Sequence, residues 1–177
     1  MNVWSRLQHL LHTLYHRPSM IRGSGMNYEA AFERLLRSYG VVSCPETGYE
    51  RYPNGPQRWP DFQILDKHTC VPIELKTTSR MMVPLGKTWI QSDALYLIHH
   101  RPLDSIWITW GKDMKTEEDD RRFREFQQRV RDLNRDCTYT PPVQWTAASH
   151  VFYHLEMPRR RELYEKAMER LRQIARR

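Results

Sequence analysis

Two strand-like segments joined by a short polar turn constrain the fold of this chain more than any other feature. Residues 61–65 and 71–77 form these segments, and a polar stretch over residues 66–69 separates them. If the turn is centred between residues 67 and 68, the segments pair as an antiparallel hairpin with one apolar face. The pairs on that face are Phe62 with Ile73 and Ile64 with Val71.

The opposite face of the same hairpin carries charged residues. In this register Asp61 lies opposite Glu74, and Lys76 follows two residues later on the same side. Directly opposed like charges repel, so a bound cation is the natural compensation. Oxygen ligands favour magnesium, and the backbone carbonyl of Leu75 is a further candidate ligand. Lys76 is then placed to orient or deprotonate a metal-bound water or to steady a phosphate charge, which predicts a hydrolytic site.

Hydrophobic residues recur at helical spacing near the start of the chain. The spacing predicts a first helix over residues 3–15 and a second from Asn27, as N-cap, to Tyr39, with Gly40 ending it. The two apolar stripes comprise Leu7, Leu10, Leu11 and Leu14 in the first helix and Tyr28, Ala31, Phe32, Leu35 and Leu36 in the second.

Strand-length apolar runs follow in the middle of the chain, and helical spacing returns after them. Strands are predicted over residues 49–52, 94–99 and 105–110, in addition to the hairpin. Two more helices are predicted, one from the acidic cluster 117–120 to about Asn134 and one from Pro158, with a short strand before the last. The arginine-rich surface of the last helix is either a solvated face or a binding surface. This order predicts one α/β or α+β domain over residues 1–177.

The charge balance favours a polyanionic partner. The sequence has 28 Lys and Arg against 21 Asp and Glu, which gives a net charge of +7 with neutral histidines. Each neutralised phosphate releases counterions, so such an excess suits nucleic acid.

Composition also excludes several classes of protein. With 40% hydrophobic and 28% charged residues the chain has a globular balance and not a disordered one. No apolar run approaches the ~18 residues of a membrane span, and the N-terminus lacks a signal-peptide core, so we expect a cytoplasmic protein. The three widely spaced cysteines, Cys44, Cys70 and Cys137, form neither a disulfide framework nor a paired-Cys zinc motif, and we expect them to be buried.

The segments Pro60-Asp61 and Glu74-Leu75-Lys76 resemble the signature of the PD-(D/E)xK nuclease superfamily. The resemblance covers roughly residues 25–110 and implies a restriction-endonuclease-like α/β core, with a central mixed β-sheet flanked by helices. Residues 1–24 would then form an N-terminal helical arm and residues 111–177 a mainly helical C-terminal part. Asp113-Met114-Lys115 also fits the second half of the motif, but it lacks the hairpin, and we expect a solvated loop there.

The resemblance also implies a ligand set and an activity. Family members carry an inward glutamate on the helix before the sheet. Glu29 matches this glutamate, and Glu33, one turn later, is the alternative. One or two Mg²⁺ ions, or Mn²⁺, would be held by Asp61, Glu74, Leu75 and Glu29, with Lys76 assisting. The expected activity is that of a type II restriction endonuclease, cutting double-stranded DNA as a homodimer because two-fold proteins match palindromic sites.

Two other functions remain open at this stage. A Holliday junction resolvase or DNA-repair nuclease would use the same site and recognise DNA shape. A non-catalytic DNA-binding module predicts loss of Asp61, Glu74 or Lys76, and all three are present.

Polar residues next to the motif are candidates for DNA contacts. They are either ordinary polar turns or groups that hold phosphates and read base edges. The candidates are Thr77, Thr78, Ser79, Arg80 and Lys87 after the second strand of the hairpin, and Asn54, Gln57 and Arg58 before the first.

Overall fold

The computed structural model describes residues 2–21, 26–55, 58–67, 69–86, 89–136 and 151–176. These residues form four α-helices and seven strands, with six of the strands in succession after the second helix, and short 3-10 turns at Pro18–Met20 and Gly111–Asp113. The elements are α1 Val3–His16, α2 Met26–Ser38, β1 Thr47–Arg51, β2 Phe62–Asp66, β3 Thr69–Thr78, β4 Met82–Gly86, β5 Leu95–His100, β6 Ser105–Trp110, α3 Glu117–Asp136, β7 Val151–His154 and α4 Arg159–Ala175.

The main sheet has five strands in the order β1-β2-β3-β5-β6. Strands β3 and β5 pair in parallel and the other neighbours pair antiparallel, so the sheet is mixed. The predicted hairpin register is confirmed, since Phe62 pairs with Ile73 and Ile64 with Val71. The α/β class with a central mixed sheet flanked by helices is therefore confirmed.

Helices cover one face of this sheet and bury the larger hydrophobic core there. The apolar stripe of α1 is fully buried, as its four leucines at helical spacing predict. Phe32 of α2 packs edge-to-face on Phe62 of β2, with ring centroids 5.3 Å apart. Helix α4 contributes Ala167, Met168 and Leu171. The helices at both ends of the chain thus pack on the same face as α2.

A second, smaller sheet covers the other face. It pairs β4 with β7 antiparallel, across nearly 70 residues of sequence. Val83 and Tyr153 of this sheet pack with Tyr96, Ile98 and Trp107 of the main sheet. Because side chains alternate along a strand, Glu74 and Lys76 of β3 point to this face while Ile73 and Leu75 point to the helices.

Several sequence predictions need correction in detail. Helix α2 begins at Met26, so Asn27 lies inside the helix and is not its N-cap. Strand β4 was not predicted. Cys70 is exposed, contrary to the expected burial, Cys44 is half-buried, and both are free thiols, while Cys137 lies outside the described residues. Helix α3 begins at Glu117, as the acidic cluster predicts.

None of the described helices is both long enough and apolar enough to cross a membrane.

Candidate active site

The β2–β3 hairpin brings Asp61 and Glu74 together. Asp61 directly precedes β2, and the pairing of Phe62 with Ile73 puts it level with Glu74 on β3. Its carboxylate Oδ2 accepts a hydrogen bond from the backbone N–H of Leu75, 2.8 Å away. Asp61 is thereby tied to the backbone between Glu74 and Lys76.

The environment of Asp61 favours its protonated form. Burial and the neighbouring charge of Glu74 raise the pKa of Asp61 to about 7. The Leu75 N–H and the charge of Lys76 oppose this rise, and the charge of Glu29 adds to it. At pH 7 such a carboxyl is protonated in about half of the molecules, and a bound cation would favour its ionised form.

Glu74 is the most buried charged group of the site. Only 7% of the residue is exposed, because it lies on the middle strand of the sheet. Lys76 Nζ donates a hydrogen bond to Glu74 Oε1 at 2.5 Å. Among the described residues, Glu74 Oε2 has no hydrogen-bond partner despite its burial. An unpaired buried carboxylate oxygen is costly, so this atom calls for a further positive or hydrogen-bonding group.

Glu29 on α2 lies at the edge of this cluster and is held by two residues that sequence reasoning missed. Tyr52 donates a short hydrogen bond to Glu29 Oε2. The guanidinium of Arg51 lies 3.5 Å from the same oxygen and donates to the Tyr52 hydroxyl at 2.8 Å. Tyr52 follows β1 with a φ of 52°, a left-handed conformation that its sequence neighbours do not signal.

Glu33, the alternative to Glu29, serves a different set of partners. It accepts hydrogen bonds from Tyr49, Arg37 and Arg51 at 2.8–2.9 Å. Burial alone would raise the pKa of Glu33, but these hydrogen bonds outweigh it and lower the pKa. Glu33 therefore links α2 to β1 through hydrogen bonds. The charge of Glu29, by contrast, raises the pKa of Asp61.

The carboxylates do not form a complete metal cage in this arrangement. In the described part of the chain, no group of three or more His, Cys, Asp or Glu side chains is placed to hold a metal ion. Glu29 is bound to Tyr52 and Arg51 and so does not complete a cluster with the other two carboxylates. Asp61 and Glu74 supply a two-carboxylate site, with the Leu75 carbonyl beside it in sequence.

The predicted DNA-contacting residues precede and follow the site in sequence. Arg58 lies in the loop before Asp61, whereas Ser79 and Arg80 follow the end of β3, which runs five residues beyond the pair of Phe62 with Ile73. Arg58, Ser79 and Arg80 are exposed. Lys87 and Gln57 lie outside the described residues.

Three other predicted DNA-contacting residues have structural partners or are partly covered. Thr78 is buried, and its hydroxyl bridges the backbone N–H and carbonyl of Arg80. Asn54 donates its side-chain amide to the Trp59 carbonyl at 2.8 Å and closes the loop before Asp61. Thr77 is half-buried on the opposite side of β3 from Lys76. The exposed arginines are thus better placed for phosphate contacts than the hydroxyls of Thr77 and Thr78.

The described cavities lie away from these residues. One of about 690 Å³ is bounded by Leu65, Lys67 and Cys70, at the turn end of the β2–β3 hairpin. The carboxylates lie at the other end of the same hairpin. The carboxylate site therefore does not coincide with any of the described cavities.

Comparison of the chain with family models, with curated proteins and with solved structures found no match. A functional proposal for this site rests on its own side chains and on the motif that they form.

Proposed function

We propose that this protein is a magnesium-dependent endonuclease that hydrolyses phosphodiester bonds in double-stranded DNA, with a restriction-endonuclease-like core and the activity of a type II restriction enzyme. The observation that carries the proposal is the juxtaposition of Asp61 and Glu74, with an unpaired buried oxygen on Glu74 and Lys76 at 2.5 Å. A fold places two carboxylates together in this way when a cation compensates them.

The donor set fits Mg²⁺. The available ligands are carboxylate oxygens of Asp61 and Glu74, the carbonyl of Leu75 and, after leaving Tyr52, the carboxylate of Glu29. When bound, Mg²⁺ would supply a more acidic water and neutralise charge that develops on the phosphate. Manganese suits the same oxygen ligands.

The side chains around the cation have separate tasks in the proposed reaction. Asp61 and Glu74 fix the position of the positive charge on the sheet. Lys76 lies on the same face and holds a proton within reach of a phosphate oxygen or the attacking water. Tyr52 and Arg51 fix the carboxylate of Glu29 close enough to Asp61 for its charge to act there.

DNA is the proposed substrate because of the positive net charge of the chain and the positions of two exposed arginines. The net charge of +7 favours a polyanion, and two exposed arginines flank the motif in sequence, Arg58 before Asp61 and Arg80 after Lys76. A homodimer with two-fold symmetry would place one such site on each strand.

The direct test is incubation of the purified protein with unmethylated phage DNA, with and without Mg²⁺, resolved on a gel. We expect discrete fragments only with Mg²⁺. Asp61→Ala and Lys76→Ala should each lower the rate by about 100- to 1,000-fold, as loss of one charge-stabilising group commonly does. Both variants should still bind DNA in Ca²⁺.

Asp113→Ala is the matched control. Asp113 belongs to the other (D/E)xK segment of the chain and lies outside the hairpin. Its rate should stay within about two-fold of the wild type. Wild-type rates in Asp61→Ala or Lys76→Ala contradict the proposal, and cleavage of four-way junctions without discrete plasmid fragments assigns the site to a resolvase instead.

A further inference from the structure

Helix α3 exposes large apolar side chains along its length. Phe126 is 41% and Leu133 is 54% exposed, while Phe123 and Val130 are half-buried. Among the described residues, the start of the helix contacts the body of the protein: Phe123 stacks on Trp89 with ring centroids 4.3 Å apart, and Lys115 donates to Asp120 at 2.8 Å. Farther along, Gln128 hydrogen-bonds within the helix, to Asp132 and Arg131.

These apolar residues have the spacing of a helix-pairing seam. Phe123, Phe126, Val130 and Leu133 follow at intervals of three, four and three residues. This is the a/d pattern of a coiled coil, which places one narrow apolar stripe against a second helix. Over its 20 residues α3 would extend for about 30 Å, which is long enough for two heptads of pairing.

Charge along α3 determines which helix can lie on this stripe. Its first ten residues carry five carboxylates and three arginines, and its last ten carry three arginines and two carboxylates. One half is thus net negative and the other net positive. Two such helices attract each other when antiparallel, because the negative half of one then meets the positive half of the other. They repel each other when parallel, because like halves meet. Their macrodipoles also favour the antiparallel arrangement.

We infer that α3 is a dimerisation helix that pairs antiparallel with α3 of a second copy of this chain. In this pairing Phe126 lies beside Val130 of the other copy and Phe123 beside its Leu133, so the seam is self-complementary. A two-fold axis passes the middle of the helix, near residue 128. This inference uses no property of the carboxylate site and is independent of the proposed nuclease activity.

Nucleic acid and membrane are poorer partners for this face. Helix α3 has six arginines and seven carboxylates, in a chain whose net charge is +7. A phosphate-binding or anionic-lipid-binding helix would carry a positive excess. The near balance of charge with an apolar seam is typical of helix pairing.

The first test is the mass of the full chain by light scattering over a range of concentrations, without DNA. We expect a concentration-dependent shift from 21.4 kDa towards twice that mass. The double variant Phe126→Gln/Leu133→Gln should remain monomeric at concentrations at which the wild type is a dimer, with unchanged circular dichroism. Leu103→Gln, an equally exposed residue in the turn before β6, is the matched control and should dimerise normally.

The second test reports the direction of pairing. Single cysteines are introduced at Gln127 or at Phe123, in a chain with Cys44, Cys70 and Cys137 replaced by serine. Antiparallel pairing brings residue 127 near its own copy and keeps the two copies of residue 123 apart. A thiol cross-linker should therefore join the two chains of Gln127→Cys covalently and leave those of Phe123→Cys without a cross-link.

Several results would overturn the inference. They are a wild-type monomer at every concentration, a dimer that survives Phe126→Gln/Leu133→Gln, and equal cross-linking at both positions. Loss of DNA or vesicle binding in the double variant, without any change in mass, would assign the seam to that other partner. Absence of nuclease activity leaves all of these readouts unchanged.

Discussion

Glu74 is a carboxylate on the middle strand of a sheet, where a charge is expensive to bury. One of its oxygens is paired with Lys76 and the other has no partner among the described residues. Asp61 beside it has its pKa raised to about 7 by burial and by the charge of Glu74. Each of the two carboxylates needs a compensating proton or positive charge. We therefore expect the metal-free site to be destabilising when both are ionised.

The raised pKa of Asp61 predicts how stability depends on pH without metal. In the unfolded chain an aspartate titrates near ~4, so between about pH 4 and 7 only the folded state keeps this proton. The stabilising contribution is complete below the unfolded pKa and is lost as the pH rises through about 7. In EDTA we expect the unfolding free energy to fall by about 3 kcal/mol over this range, measured by urea denaturation.

Asp61→Asn should remove most of this pH dependence, because the amide keeps the bond from Leu75 and carries no charge. Asp132→Asn, on an exposed face of α3, is the control and should retain the wild-type slope. The attribution to Asp61 is wrong if both variants titrate alike.

Glu29 and Glu33 are two glutamates one turn apart on α2, and we expect their substitutions to have different effects. Glu29→Gln should raise the Mg²⁺ concentration needed for half-maximal cleavage by about ten-fold, since the charge of Glu29 acts on Asp61. Glu33→Gln should lower stability by about 1 kcal/mol with little change in metal requirement, because its partners join α2 to β1. Cleavage at graded Mg²⁺ and thermal unfolding separate the two effects, and exchanged roles would restore Glu33 as the helical ligand.

At the scale of elements, the hairpin register places the site. A shift of one residue would turn Asp61, Glu74 and Lys76 to the helix face and expose the core. Pro72 of β3 is compatible with this register because β5 begins to pair only at Ile73. Among the described strands of the main sheet, the segment Thr69 to Pro72 therefore pairs with β2 on one side and with none on the other.

The contact between α2 and β2 fixes Glu29 relative to Asp61. Phe32→Ala should destabilise the protein by about 3–5 kcal/mol, since both rings of the Phe32–Phe62 pair are fully buried. Urea denaturation measures the loss. Leu103→Ala, at an exposed turn, should cost less than about 0.5 kcal/mol. A loss below about 1 kcal/mol for Phe32→Ala would mean that α2 does not dock in this way.

Element prediction from sequence succeeded where periodicity is local. The stripe of α1, the limits of β6 and the start of α3 are confirmed. Strand β4 was missed because its partner, β7, is remote in sequence, and because Val83 and Leu85 are apolar positions whose burial depends on the main sheet. The N-cap of α2 was misplaced because helix ends depend on contacts that lie outside the helical pattern.

At the scale of the whole molecule, charge is unevenly distributed. Helix α3 is nearly neutral, so the remaining chain carries the whole positive excess. Several arginines of α4 are already engaged: Arg160 donates to the carbonyls of Ile106 and Tyr15, and Arg161 pairs with Glu165. The last helix therefore offers fewer free cations than its composition indicates.

DNA binding should depend steeply on salt. Raising NaCl from 50 to 200 mM should weaken binding of a DNA duplex in Ca²⁺ by at least about 100-fold, through loss of counterion release. Fluorescence anisotropy at graded salt gives the slope. Arg80→Gln should reduce that slope by about one, and Arg161→Gln, on α4, should leave it unchanged. Binding that is insensitive to salt would contradict a phosphate-contacting surface.

The sequence by itself determined the local periodicities, the hairpin register and, through that register, the neighbourhood of Asp61, Glu74 and Lys76. These follow from alternation and helical spacing, which require only a few adjacent residues. The tertiary structure alone decided the unpaired oxygen of Glu74, the hold of Tyr52 and Arg51 on Glu29, and the pairing of β4 with β7. Burial and hydrogen bonding between residues distant in sequence appear only after the chain has packed, so no pattern within one segment specifies them.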